Sequence, residues 1–176
     1  MNARTMPSIG IIGSGRVANA IGFLFHSKGI MINSVCSRNQ DSGQNLANRL
    51  ECDFVNSIEQ TKADIIIVCV TDDEIFNVIQ NISIGQKVLY TAGSISLESL
   101  KRNKSGVFYP LQSFSKNSEV DFSVIPICIE ADNDFDLDLL KQLGDSISKN
   151  VLAVSSEKRE KIHLSAVMTT YGDSDI

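Results

Sequence analysis

Short apolar runs alternate along the chain with longer stretches whose apolar positions recur at helical spacing. The first run, Ile9–Ile12, ends at a pair of glycines, and apolar residues then recur from Ala20 to Phe25 as in a helix. Residues 64–70 form a run in which all but Asp64 and Cys69 are β-branched, which is typical of a strand buried on both faces of a parallel sheet. The alternation predicts an α/β fold, with a Rossmann-type, doubly wound, mostly parallel sheet and helices on both faces.

The rest of the pattern predicts further elements of the same kind. Pro126 has no N–H to donate, so the strand that contains it is expected near an edge of the sheet. Strands are expected at 30–36, 53–55, 86–91, 107–110, 122–130 and 151–154, and helices at 41–50, 134–143 and 157–170. Helix capping is expected from Ser57, from Thr71 or Asp72, and from Ser94 or Ser96.

The glycine pair after the first strand matches Gly-x-Gly-x-x-Ala, the fingerprint of dinucleotide-binding domains. Gly13 allows a tight turn, Gly15 lacks the Cβ that would obstruct a pyrophosphate, and Ala18 lets helix and strand pack closely. The pyrophosphate would lie on backbone N–H groups at the helix N-terminus. The predicted contacts therefore include Ser14, Arg16 and Val17 as well; the alternative is a glycine turn that binds nothing.

The end of the second predicted strand bears on which dinucleotide binds. Domains that bind NAD usually carry an acidic residue there, whereas this chain has Ser37-Arg38. A hydroxyl and a guanidinium suit a 2′-phosphate, so NADP is predicted as the cofactor. The alternative for Arg38 is a solvated loop residue.

Other strand ends supply further candidates. The turns Val70-Thr71 and Gly93-Ser94 follow predicted strands, where ligands of parallel sheets bind, so both are expected to contact the cofactor. Thr71 and Ser94 are also suited to helix capping, and the adjacent acids Asp73 and Glu74 would favour the first turn of a helix.

Composition narrows the class of protein. The chain has 176 residues and a net charge of −5, which suits one α/β domain and argues against a nucleic-acid surface. It contains no apolar run of the ~20 residues that a membrane span requires. The first eight residues lack a signal-peptide core, and four scattered cysteines without C-x-x-C suggest reduced thiols, so a cytoplasmic protein without a metal site is expected. Asp132-x-Asp134-x-Asp136 lacks the Gly and Glu of a calcium loop.

The chain resembles the NADP oxidoreductases that join a Rossmann domain to a helical C-terminal domain, a group distantly similar to pyrroline-5-carboxylate reductase and the deazaflavin-linked NADP reductases. Four stretches carry the resemblance: 10–18, Cys36-Ser37-Arg38, 107–115 with its Tyr-Pro-Leu-Gln-Ser-Phe-Ser core, and Arg159-x-x-x-His163-Leu-x-Ala-Val. It implies NADP binding and hydride transfer to an unassigned substrate. It also implies a homodimer for full-length relatives.

The resemblance also sets the expected domain organisation. Residues 1–155 are expected to form the dinucleotide-binding domain, and 156–176 the start of a linker helix. Relatives continue past this helix, so a truncated chain is expected.

Candidates for the chemistry lie in the last two stretches. Arg159 and His163 are four residues apart on one helix, so both project from one face. His163 is a candidate general acid and Arg159 a candidate holder of a substrate carboxylate; the alternative is a packed amphipathic surface helix. Tyr109 and Gln112 are further candidates, on a loop at the expected ligand edge. The predicted function is an NADP-dependent oxidoreductase acting on a small carbonyl or imine, and the alternative is a non-catalytic NADP-binding module.

Overall fold

The computed structural model describes residues 5–111, 121–132 and 135–172. These residues form two compact units, the first ending at Thr91 and the second beginning at Ala92. The strands are β1 (Ile9–Ile12), β2 (Ile32–Cys36), β3 (Asp53–Val55), β4 (Ile65–Val68), β5 (Lys87–Tyr90), β6 (Ser105–Pro110), β7 (Ile127–Ala131) and β8 (Val151–Ala153). The α-helices are α1 (Arg16–Ser27), α2 (Gln40–Arg49), α3 (Ile75–Gln80), α4 (Leu137–Asp145) and α5 (Ser156–Gly172). Short 3-10 helices lie at Ile58–Gln60, Asp72–Glu74, Glu98–Leu100 and Phe122–Val124.

The first unit is a five-stranded parallel sheet with strand order β3-β2-β1-β4-β5. β1 and β4 are buried along their whole length, as expected for central strands of a parallel sheet. The chain runs outward from β1 to β3, then returns to β4 on the other side of β1. This reversal places a topological switch point beside the carboxyl end of β1, where sheets of this type bind ligands.

The second unit contains a mixed three-stranded arrangement. β7 pairs with β6 in antiparallel orientation and with β8 in parallel orientation. α4 buries Leu140 and Leu143, and Gly144 of the same helix lies where an added Cβ would be 2.8 Å from a methyl of Val151. The predicted α/β class, with a mostly parallel sheet of the Rossmann type, is confirmed.

Several predicted boundaries differ from the structure. The strand expected at 122–130 is β7 preceded by a 3-10 turn. It lies near an edge of the sheet, as expected, with β6 on one side and the last strand, β8, on the other. Pro126 lies just before β7, where its missing N–H costs no ladder bond, and its carbonyl accepts from the N–H of Leu111 at 2.8 Å. The helix expected from 134 begins at Leu137, since the Asp136 carboxylate caps the N–H groups of Asp138 and Leu139.

Candidate functional site

The turn between β1 and α1 depends on two glycines in different ways. Gly13 has φ +118°, and an added Cβ would lie 2.2 Å from the carbonyl oxygen of Cys69, so only glycine fits there. Its N–H donates to the carbonyl of Cys36 at 2.8 Å. Gly15 has extended backbone, and an added Cβ would meet nothing within 4 Å. Gly13 is therefore required by the protein's own packing, and Gly15 faces open space.

Helix α1 begins at Arg16, directly after this turn. Its first turn carries no acidic side chain. The first N–H groups of an α-helix lack intrahelical partners, and they attract anions in the absence of a capping carboxylate. Ala18 is fully buried, as expected if it sets the close approach of α1 to the sheet.

A cluster of three hydroxyls joins the glycine turn to the turn after β2. The Ser14 Oγ lies 2.6 Å from the Oγ of Ser37 and 2.7 Å from the Oγ of Ser42. The N–H of Ser42 is held in turn by the Asn39 side chain, which caps α2. These contacts fix the backbone on either side of Arg38.

A pocket of about 460 Å³ opens at the switch point. Seven of the predicted cofactor contacts line it, while Arg16, Val17 and Ala18 do not. The lining residues are Ile12, Gly13, Ser14, Gly15, Cys36, Ser37, Arg38, Asn39, Ile58, Cys69, Val70, Thr71, Glu74, Asn77, Val78 and Asn81. The sequence analysis did not predict Glu74, Asn77 or Asn81 as pocket residues. Glu74 was expected only to favour the first turn of a helix, and neither asparagine belongs to a binding motif.

Two cysteines in the pocket wall are buried, unreactive thiols. Burial raises the pKa of the Cys69 thiol to about 12, against a hydrogen bond from Thr91 that lowers it. Burial also raises the pKa of Cys36. Both groups are therefore neutral thiols near pH 7 and contribute apolar surface rather than a nucleophile.

In the second unit, Tyr109 on β6 and His163 on α5 form a hydrogen-bonded pair. The Tyr109 hydroxyl lies 2.7 Å from Nδ1 of His163, and the two rings meet edge to face with centroids 5.6 Å apart. A Cβ on Gly93 would lie 2.4 Å from that Nδ1 and 2.8 Å from Cζ of Tyr109. Gly93, predicted as a cofactor contact, is thus buried against this pair in the second unit, and Ser94 beside it is exposed.

Arg159 lies one helical turn before His163 and is 1% exposed. Its Nη1 is 2.5 Å from Oε2 of Glu130 on β7, and its Nη2 donates to the carbonyl of Ile95. The same carboxylate oxygen accepts from the Ser156 hydroxyl at 2.8 Å. The guanidinium is therefore engaged by the protein's own carboxylate, which differs from the expected contact with a substrate.

The sequence analysis did not predict Glu130, which binds both Arg159 and Ser156. It lies near the end of an otherwise apolar strand, and an acidic residue at such a position could have indicated a buried ion pair. Gln112, the remaining predicted catalytic residue, lies outside the described residues.

Within the ranges the structure describes, no three His, Cys, Asp or Glu side chains are grouped as a metal site would require. No helix in the same ranges has both the length and the apolar character needed to cross a bilayer.

The fold and the glycine turn define an α/β protein of the Rossmann type, and comparison with known proteins narrows the class. The family "NADP oxidoreductase coenzyme F420-dependent" matches residues 8–92, and a domain of unknown function, DUF2520, matches residues 125–170. A "putative NADP oxidoreductase" from Bacteroides fragilis is 31% identical over 95% of the chain, with a TM-score of 0.83. The chain belongs to this family of NADP oxidoreductases.

More distant structures share the fold. A protein from Thermotoga maritima is 23% identical over 91% of the chain, with a TM-score of 0.73. A reductive aminase from Aspergillus terreus, solved with NADPH and ethyl levulinate, is 14% identical over 96% of the chain, with a TM-score of 0.75. The chain spans 68% of the Bacteroides protein and 62% of each of the other two. No curated protein matches the chain in sequence.

Proposed function

We propose that the chain binds NADP(H) and catalyses hydride transfer between its nicotinamide and a small carbonyl or imine substrate. The observation that carries the proposal is the pocket at the switch point, where Gly15 leaves open space before the N-terminus of α1. Membership of the NADP oxidoreductase family supports the same assignment.

The residues present fit a dinucleotide. Gly15 is the position where a side chain would project into the space before the helix, and the uncapped first turn of α1 suits a pyrophosphate. Ser37 and Arg38 follow β2, and the guanidinium is a fork-shaped donor for the 2′-phosphate. The side chain of Arg38 is 85% exposed, so it is able to reorient toward a ligand.

Bound NADPH supplies the hydride, and a carbonyl or imine that accepts it also takes up one proton on its oxygen or nitrogen. We assign that proton to the pair formed by Tyr109 and His163. Their 2.7 Å hydrogen bond lets a proton lost by one member be replaced from the other.

Arg159 has a positioning role in this proposal. Its ion pair with Glu130 and its bond to the Ile95 carbonyl hold the first turn of α5 against β7. His163 lies one turn further along the same helix, so the anchored turn fixes where its imidazole can reach. This role replaces the expectation that Arg159 binds a substrate carboxylate.

Cofactor binding is tested by calorimetric titration of the purified chain with NADP+ and with NAD+. A charge-assisted contact from Arg38 is worth about 1.5–3 kcal/mol, so NADP+ is expected to bind roughly ten- to a hundredfold more tightly. Arg38→Ala should remove the preference. Lys62→Ala is the matched control, since it removes the same charge from a residue outside the pocket lining and should leave the preference intact. Equal binding of the two dinucleotides by the parent chain would refute the assignment of NADP.

Catalysis is tested by following NADPH oxidation with a panel of small ketones and cyclic imines. Tyr109→Phe and His163→Asn are each expected to lower turnover by about 10²–10⁴-fold, the usual contribution of a general acid, with NADPH affinity unchanged. Loss of affinity together with turnover would assign the pair to cofactor binding instead. Turnover unaffected by both substitutions would exclude it from the chemistry.

A further inference from the structure

The pocket contains an acidic residue in a position that opposes the cofactor it is proposed to bind. Among the described residues that line it, Arg38 and Glu74 are the only ones that carry charge. They pair with each other, with 3.5 Å between Nη1 of Arg38 and Oε1 of Glu74. The cation that suits a 2′-phosphate is thus already occupied by a carboxylate of the protein.

Glu74 is held more firmly than its partner. It ends the 3-10 turn Asp72–Glu74, where its N–H donates to the carbonyl of Thr71 at 2.9 Å, and the next residue, Ile75, is fully buried. The Glu74 side chain is 27% exposed, whereas that of Arg38 is 85% exposed. The carboxylate is the fixed member of the pair, and the arginine is the one able to leave.

We propose that Glu74 is a specificity-determining residue that competes with the 2′-phosphate of NADP for Arg38. This inference rests on the proposed function and deepens it. An ion pair with an exposed arginine is weak, so a phosphate carrying up to two negative charges is able to displace it. After Arg38 has turned to the phosphate, the Glu74 carboxylate remains in the pocket wall and repels the phosphate. This repulsion reduces the preference for NADP over NAD that Arg38 alone would give.

The test is the isosteric substitution Glu74→Gln, measured by calorimetry with NADP+ and NAD+. Removing the carboxylate should tighten NADP+ binding by about three- to tenfold, the effect of one charge acting on a phosphate across several ångströms of partly exposed space. NAD+ binding should change by less than about twofold, because its 2′-hydroxyl carries no charge to repel.

Asp73→Asn is the matched control. Asp73 is adjacent in sequence, exposed and outside the pocket lining. Hydrogen bonds from the Thr71 side chain and from its own backbone lower its pKa, with a smaller contribution from the charge of Arg38. The control removes the same charge from the same turn. Because this charge lies outside the pocket lining, the ratio of the NADP+ and NAD+ affinities should stay near that of the parent. An equal gain in both variants would show a general field effect and overturn the competition.

A double-mutant cycle with Arg38→Ala separates competition from direct repulsion. If Glu74 acts by holding Arg38, the gain from Glu74→Gln should shrink when Arg38 is already absent. An undiminished gain would overturn the competition, because Glu74 would then act on the phosphate without involving Arg38.

The outcomes also distinguish this inference from the proposed function. Failure of the parent chain to bind either dinucleotide overturns both. A parent chain that prefers NADP+, with no change of preference in Glu74→Gln, overturns only the role of Glu74.

Discussion

The hydroxyl of Tyr109 lies 2.7 Å from Nδ1 of His163, although the two residues are 54 positions apart in the chain. β6 supplies the tyrosine and α5 the histidine, and Gly93 makes room for both rings. This contact places two of the predicted catalytic residues together. Because both rings lie so close to Gly93, the need for a glycine at this position can be tested directly by substitution.

Gly93→Ala should destabilise the protein by about 1–3 kcal/mol, because the new methyl would overlap the His163 ring and the Tyr109 ring. Urea unfolding measures the loss. Gly85→Ala is the matched control, since a Cβ there meets nothing within 4 Å, and it should change stability by less than about 0.5 kcal/mol. Equal stability of the two variants would show that Gly93 is not packed against the pair.

The two glycines of the first turn should respond differently to substitution. Gly13→Ala is expected to cost about 3 kcal/mol of folding free energy, because it forces a left-handed φ and a clash with the Cys69 carbonyl. Gly15→Val should leave the fold intact, judged by circular dichroism, and abolish NADP+ binding, because the branched side chain fills the space that the pyrophosphate needs. A folded Gly15→Val variant that binds NADP+ like the parent would contradict the assignment of the fingerprint.

Glu130→Gln should destabilise the protein by about 3 kcal/mol, since it leaves the buried guanidinium of Arg159 without its counter-charge. Glu157→Gln makes the same change in the exposed pair with Lys161 on the same helix, which is worth about 0.3–0.5 kcal/mol. Thermal or urea unfolding compares the two. Similar losses for both variants would mean that the Glu130 pair contributes no more than a surface contact.

Stability should fall as pH rises above about 9, the ordinary pKa of a cysteine thiol, toward about 12, to which burial raises the pKa of Cys69. In this interval the unfolded chain releases the Cys69 proton and the folded chain retains it, so alkali favours unfolding. Cys69→Ala should therefore flatten the decline of unfolding free energy over the same pH range. An unchanged slope would show that Cys69 does not contribute to the alkaline instability.

The parts of the candidate site that the sequence predicted are those encoded by neighbouring residues. The strand, the glycine turn and the helix that follows lie within residues 9–27, and Ser37-Arg38 directly follows β2. Local patterns are sufficient there, because backbone conformation and the order of elements follow from adjacent residues. Seven of the twelve predicted cofactor contacts consequently line one pocket.

The parts of the site that were not predicted from the sequence depend on which strands become neighbours in the sheet. Glu74 meets Arg38 because β4 pairs with β1 beside β2, and Glu130 meets Arg159 because α5 begins against β7. Neither pairing has a signature in the local sequence. The start of α4 was missed for a different reason: alternate acidic residues before it offer several equivalent caps, and only the backbone at Asp136 selects one.

Segment 93–97 and the start of α5 are matched in length. The N–H of Leu97 donates to the Ser156 hydroxyl at 2.9 Å, the carbonyl of Ile95 accepts from Arg159, and Gly93 lies against His163. From 156 to 163 the helix rises about 10 Å, whereas the four residue steps from 97 to 93 reach at most about 14 Å. One residue inserted into or deleted from either stretch would break the register between these three contacts. Relatives that keep this arrangement should therefore vary in sequence along both stretches but not in length.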